Sequence, residues 1–409
     1  MIKKKSALIL SAVIFFSGGI FCQESDETSL SLKKAQDNSV LQSAQEIQNE
    51  SIQNESIQNE SEQNDVSKTE DYSQETIPEE NKIVLEKPRV RLNVKGIDHP
   101  LTQKFRNQFL SNAGQKILIT TLYDSIPYRP YIKKSLAEKD MPLFLQYLPV
   151  IESNYKIRAV SKSGATGLWQ FMTNSMHPFL KKNSWYDERL DPWKETEAAL
   201  KKLKDNYAMF KSWPEALAAY NMGAGALKRT MKIHPGKDFW ALAESNLLPK
   251  QTVHYVPKLL AVADLVENAE YYGLLEVGIA DQFVQNAEVE DYDYVNVAGM
   301  ISLEQVSFLT GIERSILDFL NPALLRKCTP AGEVYPLRVP LGQSENVTAA
   351  LKKADFATDA EIYQVKPGDS LWAISRRYNI SVTDLCAVNN IKADGILSIN
   401  QTLMIPVFK

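Results

Sequence analysis

Glu152 is the residue of this chain whose type and setting could do acid/base chemistry. It closes the segment MPLFLQYLPVIESNY, directly behind an apolar helical stripe of Phe144, Tyr147, Leu148 and Ile151. Pro149 disfavours helix at Leu148 and disturbs the local hydrogen bonding, so a distorted turn is expected to aim Glu152 out of the core. Beside Ile151 and Leu168 the carboxyl would be partly desolvated, which raises it from about 4.3. A general acid acting near neutrality needs about 6–7. The competing reading is a surface glutamate near a helix end. The residues C-terminal to Glu152 favour the acid. SKSGATGLWQ packs two glycines, hydroxyls and an amide into ten residues. Gly164 and Gly167 permit a tight loop close to a ligand. Ser161 could donate to the Glu152 carboxylate, Gln170 offers an amide to hydroxyl or acetamido groups, and Trp169 reads as core. In ALAAYNMGAG an Ala-rich helix breaks after Tyr220 and Asn221, a pair suited to a sugar ring. The four histidines, at 99, 177, 234 and 254, are scattered without ligand spacing, so no metal and no cofactor is expected.

ESNYKIRAVSKSGATGLWQFM, AAYNMGAG and YVPK succeed one another in that order. Together they resemble the successive motifs of the lysozyme-like lytic transglycosylases, over roughly Arg89 to Gly273. The resemblance implies that Glu152 is the sole catalytic acid/base. It implies that Ser161 supports its carboxylate or the sugar and that Gln170 and Met172 line the cleft. Tyr220 and Asn221 would position substrate, and Tyr255 would reach the cleft from the last helix. NSMHPF and KKLK depart from the family's usual pattern and are expected to bear on surface or stability. Ordinary glycoside hydrolysis uses two carboxylates; a lytic transglycosylase, by the family's pattern, uses one. Glu152 would protonate the oxygen between N-acetylmuramic acid and N-acetylglucosamine, the N-acetyl group would stabilise the oxocarbenium charge, and the muramyl 6-hydroxyl would close a 1,6-anhydro ring. Two rival readings are a hydrolytic muramidase drawing a second carboxylate from Asp187, Glu188 or Asp191, and a non-catalytic peptidoglycan-binding protein. Loop acids of that kind before PWKETEAA more often cap the following helix.

The elements that must position these residues are helical. Between Pro100 and Gly273 apolar residues recur at spacings of three and four, with Pro and Gly at the joins. An all-α domain is expected over 88–280, lysozyme-like by the resemblance. The last fifty residues read strand, helix, helix, strand, and YQVKPGDSLWAISRRYNISVTDLCAVNNIKADGILSINQTLMIP resembles a LysM domain, placed at 360–409. By that resemblance Gly368, Asp369, Ser370 and Leu371, with Asn390 and Ile391, flank a shallow glycan groove, while Trp372 and Ile374 serve the core. A weaker copy precedes it. Val297, Ser302, Leu303, Ile312, Leu317 and Asn321 match Val365, Ser370, Leu371, Ile380, Leu385 and Asn389 at a constant offset of 68. This degenerate LysM-like module, at 285–345, lacks the Gly-Asp turn and is expected to act as a spacer packed on the catalytic domain.

The N-terminus carries Lys3, Lys4 and Lys5 before a short apolar run, Ser6 to Phe21, which reads as a signal peptide over 1–22. Export to the periplasm or cell envelope is expected. The signal could be cleaved near Gly19 or Cys22, lipidated at Cys22, or left as an uncleaved membrane anchor. Residues 23–87, with three copies of IQNES, are too polar to offset chain entropy and read as a disordered acidic tether. From Glu24 to Lys87 there are 16 acids against 5 lysines, a net of −11. Since the leader adds three lysines and the whole chain is −4, residues 88–409 sum to +4. A mildly basic folded part behind an acidic leader suits an anionic polymer, and solubility alone is the competing explanation. Without an Arg-aromatic stripe it does not suit nucleic acid. A monomer is expected.

Overall fold

A computed structural model describes residues 88–353, 357 and 359–407. The expected leader, Cys22 and the IQNES segment lie outside them. Helix starts fall where polar caps or prolines stand in the sequence. His99 accepts from Leu101 N at the start of α1 (Pro100–Leu110), and Ser111 accepts from Gly114 N at the start of α2 (Asn112–Ser125). Pro130 lies in the first turn of α3 (Arg129–Glu138). A 3-10 turn, Leu143–Tyr147, then runs straight into α4 (Leu148–Ser153). Asp191 caps α5 (Pro192–Phe210) through Lys194 N. α6 (Trp213–Met222) and α7 (Ala224–Ile233) meet at Gly223, whose φ of +91° only glycine adopts freely. α8 (Phe239–Glu244), α9 (Lys250–Glu267) and α10 (Leu275–Asn286) complete the helical part.

The turn expected at Pro149 is corrected by the backbone. Leu148 is helical at φ −62°, ψ −41°, and Pro149 occupies the first turn of α4, where no intrahelical donor is lost. The chain reverses instead at Asn154 and Tyr155, both left-handed at φ +51° and +59°. Glu152 therefore sits in the last turn of a short helix. That helix is clamped by α9, which also packs against α1 and α6 and carries much of the shared apolar core. Two buried ion clusters fasten the ends of the domain. Asp264 of α9 takes Arg89 and Arg106, and Arg129 takes Asp281 of α10.

Two small sheets complete the chain. β1 (Tyr292–Ala298), α11 (Leu303–Thr310), α12 (Arg314–Leu320) and β2 (Val334–Pro340) form the first βααβ unit, with α13 (Ser344–Leu351) behind it. β3 (Asp359–Gln364), α14 (Leu371–Tyr378), α15 (Val382–Asn389) and β4 (Thr402–Val407) form the second. Both sheets are antiparallel pairs. The 68-residue offset carries into geometry. Ser302 and Ser370 cap the first helix of each unit. Asn321 donates to Leu317 O and Arg338 O and accepts from Arg338 N. Asn389 does the same with Leu385 O, Met404 O and Met404 N.

The first unit docks on the helical part. Tyr186 bridges Leu324 as in a sheet, Leu325 N donates to Trp185 O, and Arg338, almost wholly buried, pairs with Asp191 at 2.5 Å. The spacer reading therefore has a physical interface. The two units touch through Met300, Cys328, Ala357, Val388 and Met404. Cys328 and Cys386 are buried and free. Among the described residues no helix is long and apolar enough to cross a membrane.

Candidate active site

The loop after α4 is shaped by a carboxylate that the motif pattern does not single out. Glu195, fully buried on α5, accepts from Leu168 N at 2.7 Å and from Trp169 N at 3.1 Å. Burial pushes its carboxyl well up, against the pull of those backbone donors. Gly167, at φ +93°, makes the approach possible. A Cβ there would meet Arg189 O at 1.9 Å and the Glu195 oxygens at 2.5 and 2.6 Å. Trp169 is core, as expected, with Nε1 on Thr196 Oγ1 at 3.0 Å. Short bridges from Thr166 to Val160 and Phe171 fold the loop back on itself. Ser153 Oγ joins it to α4 by donating to Leu168 O at 2.8 Å.

Glu152, Ser161 and Gln170 line one cleft of about 480 Å³. Phe109 of α1, Ile117 of α2 and Lys258 of α9 supply its other wall. The Glu152 carboxyl is half-buried, and the Tyr255 hydroxyl donates a short hydrogen bond to Oε1. Burial raises Glu152 to about 7, opposed by that hydrogen bond and by the positive charge of Lys202. Tyr255 and Tyr220 are themselves pushed well up by burial and by the nearby carboxyl, so both hydroxyls stay protonated and able to donate.

Several expected roles shift. Ser161 does not bond Glu152; its hydroxyl faces Ser163 Oγ and accepts from Ala165 N, which makes it a brace of its own loop. Gln170, at φ +53°, spends its NH₂ on Gly167 O and Ala159 O, leaving its carbonyl oxygen for the cleft. The Tyr220 hydroxyl donates to Trp169 O at 2.9 Å and so holds the loop from beneath. Asn221 Oδ1 accepts from Thr252 Oγ1, tying the end of α6 to α9. Met172 is half-buried beyond Phe171 and is not among the cleft-lining residues. KKLK is not merely surface. Lys202 Nζ lies 4.7 Å from the Tyr220 ring centre and 5.3 Å from that of Phe171, on the cleft side of α5. Its seven-residue distance from Glu195, two helical turns, is the signal that places both on one face. Lys258 carries the same signal, one turn after Tyr255 in YVPK.

The acids a hydrolase would recruit are engaged elsewhere. Asp187 pairs with Arg189 and Lys182, Glu188 with Lys194, and Asp191 with Arg338. In the C-terminal unit Gly368 turns at φ +85° and Asp369 accepts from Tyr363 OH and Lys366 N. Ser370 caps α14, and Asn390 ends α15 at φ +52° with Ile391 packed behind it. Leu371 belongs to the core, not to a groove, because the cap at Ser370 turns the next side chain inward. Ile374 is core, but Trp372 is 66% exposed beneath Arg376, the reverse of the expectation.

Family comparisons match residues 129–243 to the Transglycosylase SLT domain. They match 291–355 to the LysM-like domain of lytic transglycosylase MltD, and 363–406 to the LysM domain. The chain is 27% identical over 288 residues to membrane-bound lytic murein transglycosylase D of Escherichia coli K12, covering 66% of this chain and 61% of that protein. It thus spans about six-tenths of the length of that relative. A putative tributyltin chloride resistance protein of Alteromonas sp. M-1 is 34% identical over 108 residues, 26% of this chain and 52% of its own. N-acetylmuramoyl-L-alanine amidase sle1 of Staphylococcus saprophyticus is 40% identical over 65 residues, 16% of this chain and 19% of its own. By its matched parts and their order, the chain is a mainly helical protein with a Transglycosylase SLT domain, an MltD-type LysM-like domain and a LysM domain.

Proposed function

We propose that the chain is a peptidoglycan lytic transglycosylase that cleaves the β-1,4 bond between N-acetylmuramic acid and N-acetylglucosamine without water. The observation that carries this reading is the half-buried carboxyl of Glu152, held by Tyr255 and raised to about 7, with no other acid among the residues that line its cleft. Near neutrality such a group is divided between its two forms, which suits an acid that must become a base. Glu152 gives its proton to the glycosidic oxygen as the bond to C1 breaks, and the adjacent N-acetyl group supports the oxocarbenium charge. The carboxylate then takes the proton of the muramyl 6-hydroxyl as O6 bonds to C1. The proton count closes and no water enters. Tyr255 orients the carboxyl and steadies its ionised form. Gln170 offers its carbonyl to the sugar, Asn221 ties α6 to α9, and Ser161 and Tyr220 hold the loop. The LysM domain adds glycan affinity through Gly368, Asp369, Ser370, Asn390 and Ile391, which raises local substrate concentration. The domain limits 88–280, 285–345 and 360–409, an exported envelope location, and attachment through Cys22 or an uncleaved leader belong to the same proposal.

Purified chain incubated with murein sacculi should release 1,6-anhydromuramyl ends by mass spectrometry. Reducing muramic acid ends would instead assign hydrolysis. Glu152→Gln should lower the rate by at least about 10²; lysis at the wild-type rate would place the chemistry on another residue.

A further inference from the structure

A second cavity, of about 780 Å³ against about 480 Å³ for the Glu152 cleft, stands apart from that cleft. It lies where the LysM-like unit docks on the helical domain, between α3 and α5 on one side and the two strands β1 and β2 on the other. Two of its lining side chains carry donors with no acceptor among the described residues. Trp193 Nε1 and Arg338 Nε are buried, and neither has a hydrogen-bond partner among the described residues. Unpaired buried donors are costly unless something supplies an acceptor. Arg338 Nη1 donates to Asp191 and Leu320 O, and the guanidinium lies against the rings of Trp193, Tyr292 and Tyr294, at 4.9, 4.8 and 5.6 Å. Tyr294 is half-exposed at the rim and offers a flat face.

Charge narrows the occupant. Five cations line the cavity, and four are ion-paired, Lys139 with Glu197, Lys194 with Glu188, Lys201 with Asp205 and Arg338 with Asp191, which leaves Lys204 the lining cation without a carboxylate partner among the described residues. The lysines of α5 at 194, 201 and 204 are spaced to face one side of the helix. An uncharged sugar strand uses neither Lys204 nor the orphan donors well. A short peptide bearing carboxylates and amide carbonyls uses both.

We infer that this interdomain groove binds the peptide stem of peptidoglycan. The assignment rests on the proposed function for the presence of that polymer, and the groove exists only because the LysM-like unit is docked. Carbonyl or carboxylate oxygens of the stem accept from Trp193 and Arg338, an acidic group faces Lys204, and Tyr294 covers its flat side.

Full chain carrying Glu152→Gln, which holds substrate without cleaving it, is titrated calorimetrically with two ligands: the murein disaccharide-tetrapeptide and the same disaccharide without peptide. Tyr294→Ala and, separately, Lys204→Glu are then added. Lys204 is exposed and its change leaves the core intact. Each should weaken the peptide-bearing ligand about tenfold and leave the peptide-free one unchanged. Equal losses for both ligands would make the groove a sugar site and overturn the stem assignment, and so would no loss for either. Product analysis of the wild-type chain separates the two proposals: absence of anhydro ends together with stem-selective losses would sink the enzyme reading and keep the groove.

Discussion

At the scale of single residues, the decisive quantity is how dry one carboxyl is. Desolvation raises Glu152, while Tyr255 and Lys202 pull it back, so the balance at about 7 depends on both. The charged and titratable groups facing it are Tyr255 from α9, Tyr220 from α6 and Lys202 from α5, with Lys258 lining the same cleft. Removing the lysine charge by Lys202→Met leaves desolvation less opposed, so the acid form of Glu152 persists to higher pH. The alkaline limb of kcat/KM against pH should move upward, and Lys202→Arg should restore it; a purely structural lysine would change the rate without moving the limb. The same desolvation has a cost for folding. The folded-state value lies above the unfolded one, so stability is lost as pH rises from about 4.5 towards 7 and the penalty is fully present above that. Glu152→Gln should therefore stabilise the protein at pH 8 by roughly 2 kcal/mol, discounted for partial exposure, and by nothing near pH 4. Thermal melts at the two pH values check this; equal shifts at both would refute it.

At the scale of elements, the loop between α4 and α5 converts a helix end into a site wall. Its geometry depends on Gly167, where a side chain would strike Arg189 O and the Glu195 carboxylate. Gly167→Ala combines left-handed strain with a clash against backbone and should cost roughly 2–5 kcal/mol. It should also lower activity by displacing the loop that carries Gln170. Gly164 has the same sign of φ, +85°, but open space around it, so Gly164→Ala should cost only about 1 kcal/mol. Urea titration of the pair tests the difference, and similar costs would mean that φ alone, not the approach of Glu195, fixes the glycine. The motif order here was legible in the sequence, and so were Glu152 and the Gly-rich turn. Glu195 was not, because a glutamate in the first turn of a capped helix reads as a solvated charge until the turn it feeds is in place.

At the scale of the whole described molecule, a buried ion pair joins the LysM-like unit to the helical domain beside the backbone links at Trp185 and Tyr186. Asp191 caps α5 and also neutralises Arg338. Asp191→Ala removes both and leaves a buried guanidinium uncompensated, a loss of about 3–5 kcal/mol. Much of it should return in Asp191→Ala with Arg338→Met, since an apolar side chain of similar length fits the aromatic surround. Denaturant unfolding of the two variants decides it; no recovery in the double variant would mean that capping, not charge, sets the cost.

By itself the sequence determined what local periodicity and caps can encode: helices over the first part, two βααβ units related by an offset of 68, and the order of the motifs. Tertiary structure decided which groups are desolvated and which are satisfied. Tyr255 reaches Glu152 from 103 residues away, and Arg338 reaches Asp191 from 147. Trp372 turns out exposed and Leu371 buried, although both are apolar neighbours on one short helix. Burial and charge pairing depend on what other segments bring alongside, and a linear pattern of residue types carries no distance across the fold.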